Sequence, residues 1–454
     1  MTAFLALVFV LMLSFIGGMM ESASLQMAKN YRRTDMDRAI ESVFAEYQRE
    51  LLQEFDVFGL EGSYENGAYS EQMILERLEY YGAKGIDNQI QALRLLTDNN
   101  GRLFRDQVAR YMESQYGLDF TKELAGETDV WEKQNGEIEE LEAFAKNQEI
   151  NFESILTGNE VSLPAENNPL HNMQAIQNKP LLELVMPEGR SLSEGTMNLE
   201  ELPSHREVNT GFGEFSNEQI ESSIGSLAFG EYLLEHFTQA AGETKDSGGA
   251  IQYELEYILG GDKSDKENLN KAIKKLLLIR MVSNYSFVSV DTQKRAEAET
   301  MALTLATAVL LPEISGAIAQ MLLLAWAFGE SVMDLRNLLE GKKVPLIKTA
   351  ESWQLSLASL SALGTEGDQL KGKESAQGLS YKEYLRILLF LEEKIAGAEV
   401  ITCRVLDMVE KRLRYDSNLD WFRIDNCVSK VEIKSNCNLR REITYQFKTY
   451  YGYQ

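Results

Sequence analysis

The chain has 454 residues, with 45 Lys and Arg against 70 Asp and Glu and a formal charge of −25. That balance argues against nucleic acid as a partner, because phosphate binding needs a cationic face. Seven prolines and 44% hydrophobic residues argue against broad disorder. At ~100–200 residues per domain the length predicts two or three folded units. Three cysteines and three histidines leave little material for a zinc site, and no cofactor is expected.

Residues 1–20, MTAFLALVFVLMLSFIGGMM, carry no charged side chain. As a helix, Thr2 to Met20 would span roughly 28 Å at ~1.5 Å per residue, close to a ~30 Å hydrocarbon core. A cleaved signal peptide would instead show an apolar core of ~7–15 residues after a basic segment. A retained transmembrane helix over 1–20 is therefore the expectation, with Phe4, Leu7, Leu11 and Phe15 facing membrane lipid. Gly17 and Gly18 would permit a neighbouring helix to approach closely. Downstream, Met36, Ile40, Val43, Tyr47, Leu51 and Phe55 recur at spacings of three and four, a helix-packing stripe. No proline or glycine interrupts this stretch, so a stalk helix continuous with the anchor is expected over 21–58.

Residues 59–156 read as a first helical region. A turn-rich break (59–70) precedes helical periodicity over 71–97, carried by Ile74, Leu78, Tyr81, Ile90, Leu93 and Leu96, and again over 103–124. The acidic stretch 129–150 reads as a solvated helix. Five of the seven prolines fall in 157–217, an irregular connector between two lobes in which LLELVMP (181–187) reads as a short strand. Residues 218–415 form a helical core domain. Within it 265–282 place Leu269, Ile273, Leu276 and Leu277 on one face, and the apolar run 301–331 reads as two buried helices joined at Pro312. A charge such as Glu313 inside lipid would cost ~2–3 kcal/mol. In 416–454, CVSKVEIKS and REITYQFKTY alternate with period two, which predicts a C-terminal β-hairpin turning at SNCN. The fold class is mainly α (α+β).

Few residues carry candidate chemistry. The three histidines lack metal-ligand spacing and read as structural. GFG (211–213) lacks the Lys-Ser/Thr of a phosphate cradle. In GGDKSDKEN (260–268), Asp262, Ser264, Asp265 and Asn268 offer hard oxygens for a weak Ca²⁺ candidate. The plainer reading is a helix start, with Ser264 or Asp265 as N-cap and Glu267 in the first turn. Lys342, Lys343 and Lys348 surround VPLI in what reads as an exposed helix-to-strand turn. No catalytic residue and no metal site is assigned.

The segment TAFLALVFVLMLSFIGGMMESASLQMAKNYRRTDMDRAIESVFAEYQRELLQEFDVFGL is similar to the N-terminus of TadE/TadG-like pseudopilin proteins. The blocks LEYILGGDKSDKENL (255–269), LAWAFGESVMDLRNLLEGKKVPLIKT (324–349) and GLSYKEYLRILLFL (378–391), with LPSHR (202–206) and YYGY (450–453), resemble an uncharacterised bacterial family that carries such an N-terminus. The resemblance implies an envelope component of a tight-adherence (Flp-type) pilus system, with the large domain outside the membrane. Lys29, Arg32, Arg33 and Arg38 would favour the opposite orientation by the positive-inside rule. An external domain would permit a disulfide between Cys427 and Cys437 across the hairpin turn. The expected function is a single-pass, minor-pseudopilin-like structural or assembly component, not an enzyme. Its expected partners are membrane lipid and other pilin-like or pilus-assembly subunits. A surface adhesin or ligand-binding module and a membrane-tethered envelope enzyme are the rivals.

Overall fold

The computed structural model describes the chain apart from residues 65, 118–125, 167, 178, 188, 217–224, 243–249, 366–367, 369, 441–442 and 454. It is mainly helical, with one long apolar helix at the N-terminus and a small antiparallel sheet drawn mostly from the C-terminus. The contacts divide the chain into two compact units, each discontinuous in sequence.

The first unit comprises residues 1–115, 200–224 and 405–454. Helix α1 (Thr2–Phe44) is uninterrupted, and its last turns bury Met36, Ala39, Ile40, Val43 and Phe44. The expected stalk does not continue to 58. The chain turns at residues 45–48 before the short helix α2 (Arg49–Phe55). Nothing local forbids helix there; tertiary contacts reward the turn. The Gln48 amide donates to the Gly59 carbonyl (2.8 Å), Tyr47 packs edge-on to Phe58 (ring centroids 5.1 Å), and Phe44 packs on Tyr451 (4.5 Å). Strand β1 (Leu60–Glu61), helix α3 (Glu71–Tyr80), strand β2 (Asp87–Leu95) and helix α4 (Asp98–Tyr116) follow.

Helix α3 meets the helical expectation over 71–80, and strand β2 corrects it over 87–95. Ile90 and Leu93 are three apart, as in a helix, because a bulge between Ile90 and Ala92 shifts the strand's alternation. The long strand β3 (Cys427–Asn438) is the centre of the sheet. It pairs antiparallel with β1, with β2 (Ile90 opposite Ile433) and with β4 (Thr444–Gly452; Val431 opposite Tyr451). The expected C-terminal hairpin is therefore present, but SNCN lies within β3 and the turn falls later. Eight of the twelve β3 residues are buried, on both faces of this central strand, whereas β4 at the edge keeps an exposed face. Met36, Ile40, Val43 and Phe44 from α1 join Ile74, Leu78, Ile90, Val431 and Phe447 in one core. GFG at 211–213 bridges to β2, with Phe212 and Leu93 exchanging backbone hydrogen bonds of 2.9 and 3.0 Å. A Cβ on Gly213 (φ +77°) would lie 2.1 Å from the Gln91 carbonyl oxygen, so this close approach requires glycine.

The second unit comprises residues 116–199 and 225–404. Its helices are α5 (Thr128–Gly158), α6 (Pro169–Gln177), α7 (Leu181–Val185), α8 (Ser226–His236), α9 (Glu254–Gly260), α10 (Asp265–Val288), α11 (Thr292–Ala308), α12 (Ser315–Leu339) and α13 (Tyr381–Ala396). A further helix, α14 (Ala398–Tyr415), passes into the first unit at Val405. The acidic helix α5 is mostly exposed but seats Trp131 against Phe390 (5.6 Å). Segment 181–187 is a helical turn between Pro180 and Pro187, not a strand; its unbroken apolar run fits either form. As expected, 301–331 forms two helices separated by a 3-10 turn, Pro312–Ile314, but only α12 is largely buried; α11 buries just Ala298, Ala302, Leu305 and Ala306 and is otherwise mostly exposed. Ser380 and Glu383 form a capping box at the start of α13.

The units do not follow the expected boundaries. The region 59–156 divides after residue 115 and the connector 157–217 after 199, so neither is a separate domain. The Cys427–Cys437 bridge is also corrected. Both residues lie on β3, ten residues apart, which in a strand separates them by about 33 Å. A disulfide requires Cα atoms within ~7 Å, and all three cysteines are free thiols. Thiol titration in denaturant without reductant should therefore find three thiols per chain. A value of one would contradict the strand assignment.

Candidate membrane anchor and buried polar centres

Along the first half of α1 the large apolar side chains point into open space. Phe4, Leu7, Leu11 and Phe15 are 61–72% exposed, and nothing lies within 4 Å of where a Cβ on Gly17 or Gly18 would sit. Covering about a dozen such side chains at ~2 kcal/mol each would contribute on the order of 20 kcal/mol. This helix meets the length and composition of a membrane span, a test that a signal sequence also passes. The stripe residues behave differently. Met36, Ile40 and Val43 are buried against the sheet and α3 with Tyr47 half-buried beside them, and Leu51 and Phe55 are buried on α2, so none lies on an exposed stalk. Contact between α1 and the sheet begins near Lys29, which lies over the Tyr445 ring (5.2 Å), and the first buried residue is Met36, so about two turns of helix past Met20 precede the contact.

The 260–268 loop is a helix start. Ser264 caps α10, its hydroxyl accepting from the Glu267 amide, and Asp265 turns away to accept from the backbone of Gln252 (2.9 Å) and Tyr253 (3.0 Å). Asn268 bonds the Asp262 backbone at both ends of its amide (2.8 Å each), and the Asp262 carboxylate meets Lys271 (2.7 Å). The four candidate Ca²⁺ oxygens thus serve separate partners. Among the described residues no cluster of His, Cys, Asp and Glu has a geometry suited to a metal.

An ionic centre that sequence reasoning missed lies in the second unit. Arg280 on α10 reaches Asp334 on α12 through Nε (3.0 Å) and Nη2 (2.9 Å), and its Nη1 donates to the carbonyls of Pro345 and Leu346. Lys348 bridges Asp334 (2.7 Å) and Glu330 (2.6 Å), and Glu330 accepts from the Gln354 and Leu355 amides. All four charged side chains are fully buried, with two positive charges against two negative. Burial alone would raise the Asp334 carboxyl, but Arg280 and Lys348 hold it below the usual carboxylate range. Burial raises Glu330 despite its lysine. The signal available in sequence was polar residues at four-residue spacing inside apolar helices, Arg280 with Asn284 and Glu330 with Asp334. Lys348, expected on an exposed turn, is inside this centre. Lys342 pairs with Glu340, Lys343 is exposed, and Val344 makes only an isolated bridge to Leu379.

Two more centres are similarly closed. In the second unit Glu256 accepts from the Tyr381 hydroxyl (2.8 Å) and the Ala240 amide (2.9 Å) through one oxygen, and its other oxygen is buried without a partner. Burial pushes this carboxyl up to about 7. In the first unit Arg206 forms a two-pronged pair with Glu410 (2.8 and 3.0 Å) and also meets Asp425. Ser204 binds Asp407, so LPSHR is tied down at both polar positions. An open groove of about 700 Å³ along α11 is lined by Pro164, Glu166, Glu297, Thr300, Met301 and Leu305 and touches none of these centres.

Residues 159–439 match the profile of a family of unknown function, DUF5702. No curated protein and no solved structure matches the chain.

Two substitutions test the interior. Lys348→Met leaves two buried carboxylates with less compensation and should cost about 3–5 kcal/mol, read from urea unfolding followed by Trp326 fluorescence; a loss under 1 kcal/mol would contradict the ionic centre. For Glu256 the folded carboxyl titrates above its ordinary value of 4.5, at about 7. Between those values the unfolded chain releases a proton that the folded one retains, so stability falls as pH rises from about 4.5 to 7 and is flat on either side. The contribution is about 3 kcal/mol at 1.36 kcal/mol per pH unit. Glu256→Gln should remove this part of the pH dependence, and unfolding midpoints at pH 5 and pH 8 measure the difference.

Proposed function

The chain belongs to the DUF5702 family, and we propose that it is a single-pass membrane protein with a structural or assembly role in the cell envelope. One observation carries this reading. A single unbroken helix exposes a dozen large apolar side chains along its first twenty residues, then buries Met36, Ile40, Val43 and Phe44 in the core of a sheet. A membrane is a solvent suited to the first half, and burial of the second half fixes the folded unit to it. The similarity of residues 2–60 to TadE/TadG-like pseudopilins supports a place beside other pilin-like helices in a tight-adherence (Flp-type) pilus system, with the units outside the membrane. Gly17 and Gly18, open on the helix surface, suit close helix approach. The buried carboxylates support a structural role over an enzymatic one, since they are engaged with backbone amides, Arg, Lys and Tyr away from the open groove. The exposed Leu303 and Leu310 near that groove favour a ligand-binding module as the second reading.

Leu11→Arg places a charge at the middle of the span, at a cost of about 3 kcal/mol, and should move the protein out of the membrane fraction. A strain carrying only this variant should lose pilus-dependent attachment while the folded units still resist proteolysis. Unchanged membrane recovery of the variant would refute the anchor.

A further inference from the structure

The β3–β4 hairpin runs alongside α1 and points back toward the apolar segment. Three contacts in succession establish the direction. Tyr451 packs on Phe44 (4.5 Å), Phe447 lies under Arg33 (5.9 Å) and Tyr445 lies under Lys29 (5.2 Å). Six strand residues cover about 20 Å and the matching fifteen helical residues about 22 Å, so β4 and α1 run close to parallel and the tip of the hairpin points toward the N-terminal end of α1. The turn is closed by the Leu439 amide donating to the Ile443 carbonyl (2.8 Å). Ile443 is two residues beyond Tyr445, or about 7 Å, which places it level with Leu25, the first residue of the α1 polar half to be partly covered. Met20 is five residues away along the helix, about 7–8 Å. The headgroup layer on each side of a bilayer is about 5–8 Å thick.

The same end of the first unit gathers cations from three elements. Lys29, Arg32 and Arg33 lie on α1. Lys84 lies in the loop before β2, where its carbonyl accepts from Arg32 (3.2 Å), and the exposed Arg440 lies in the hairpin turn. Among the described residues, Glu21, Asp35, Asp37 and Asp87 are acidic residues near this level. The local balance is positive in a chain of formal charge −25.

We propose that this end of the first unit, the basic collar of Lys29, Arg32, Arg33, Lys84 and Arg440, is seated on the bilayer surface and takes anionic phospholipid headgroups. The proposal rests on α1 being a membrane span. It assigns a partner to a cluster of cations on an otherwise acidic protein, and it makes the sheet part of the membrane contact.

The test uses the full chain in lipid nanodiscs, in a Cys403→Ser background so that only buried native thiols remain. A bimane label is placed in turn at Leu11→Cys, Ile443→Cys and Asp420→Cys, the last beside Gln48 near the far end of α1. Nitroxide is carried either on the lipid headgroup or deep in the acyl chain. The expected result is deep quenching at position 11, headgroup quenching at 443 and none at 420. With phosphatidylcholine replacing phosphatidylglycerol, or with Arg440→Glu, the seated population should fall about fivefold per cation lost. Quenching at 11 without quenching at 443 would overturn the seating and leave the anchor standing. No quenching at 11 would remove the anchor itself. Headgroup quenching at 443 indifferent to lipid charge and to Arg440→Glu would overturn the assignment of anionic headgroups.

Discussion

The first half of α1 presents a large apolar surface that is costly to leave in water, and the last turns of α1 are held in the core of the sheet. These two constraints act on one helix with no proline, glycine or kink between Met19 and Phe44. The helix is therefore a rigid link between a membrane-sized apolar surface and the first folded unit. Phe44, Tyr451 and Tyr453 fix its inner end, with the Tyr453 hydroxyl donating to the Phe44 carbonyl (2.7 Å). A free stalk would have let the unit swing. With contact beginning near Lys29, about two turns remain for such motion.

The second unit meets a different constraint. Its longest apolar helix, α12, carries Glu330 and Asp334 inside the core, where an uncompensated carboxylate costs several kcal/mol. Lys348 and Arg280 compensate them, and their geometry fixes where α10, α12 and the 344–348 segment meet. A buried quartet of this kind is weak evidence of extra stability, since apolar residues of similar volume serve as well. Its clearer effect is to make one arrangement of the three segments far better than its alternatives.

The legible parts of the sequence were those in which local pattern and tertiary role agree. The uncharged run 1–20, the Ser264 cap of α10, the break at Pro312 and the alternation after Cys427 each follow a rule of a few residues, and each is present. The parts that were not legible depend on long-range contacts. Strand β2 resembles a helix because its bulge places Ile90 and Leu93 three apart. The turn at 45–48 is set by Phe58, Gly59 and Tyr453, not by its own residues. The separation of Cys427 and Cys437 followed from a strand longer than its alternating core suggested. The ionic centre joins residues up to 68 positions apart in the chain, from Arg280 to Lys348, and a sequence read in windows sees only polar residues in apolar helices.

The central claim is that the apolar half of α1 stays attached and in the membrane. The most direct test is the intact mass of the protein extracted from washed membranes, with sequencing of its N-terminal peptide. The account predicts that residues 2–24 are retained in the membrane-bound form. A product beginning at or just after Ala23-Ser24-Leu25, recovered in the soluble fraction, would show a cleaved signal sequence and contradict it.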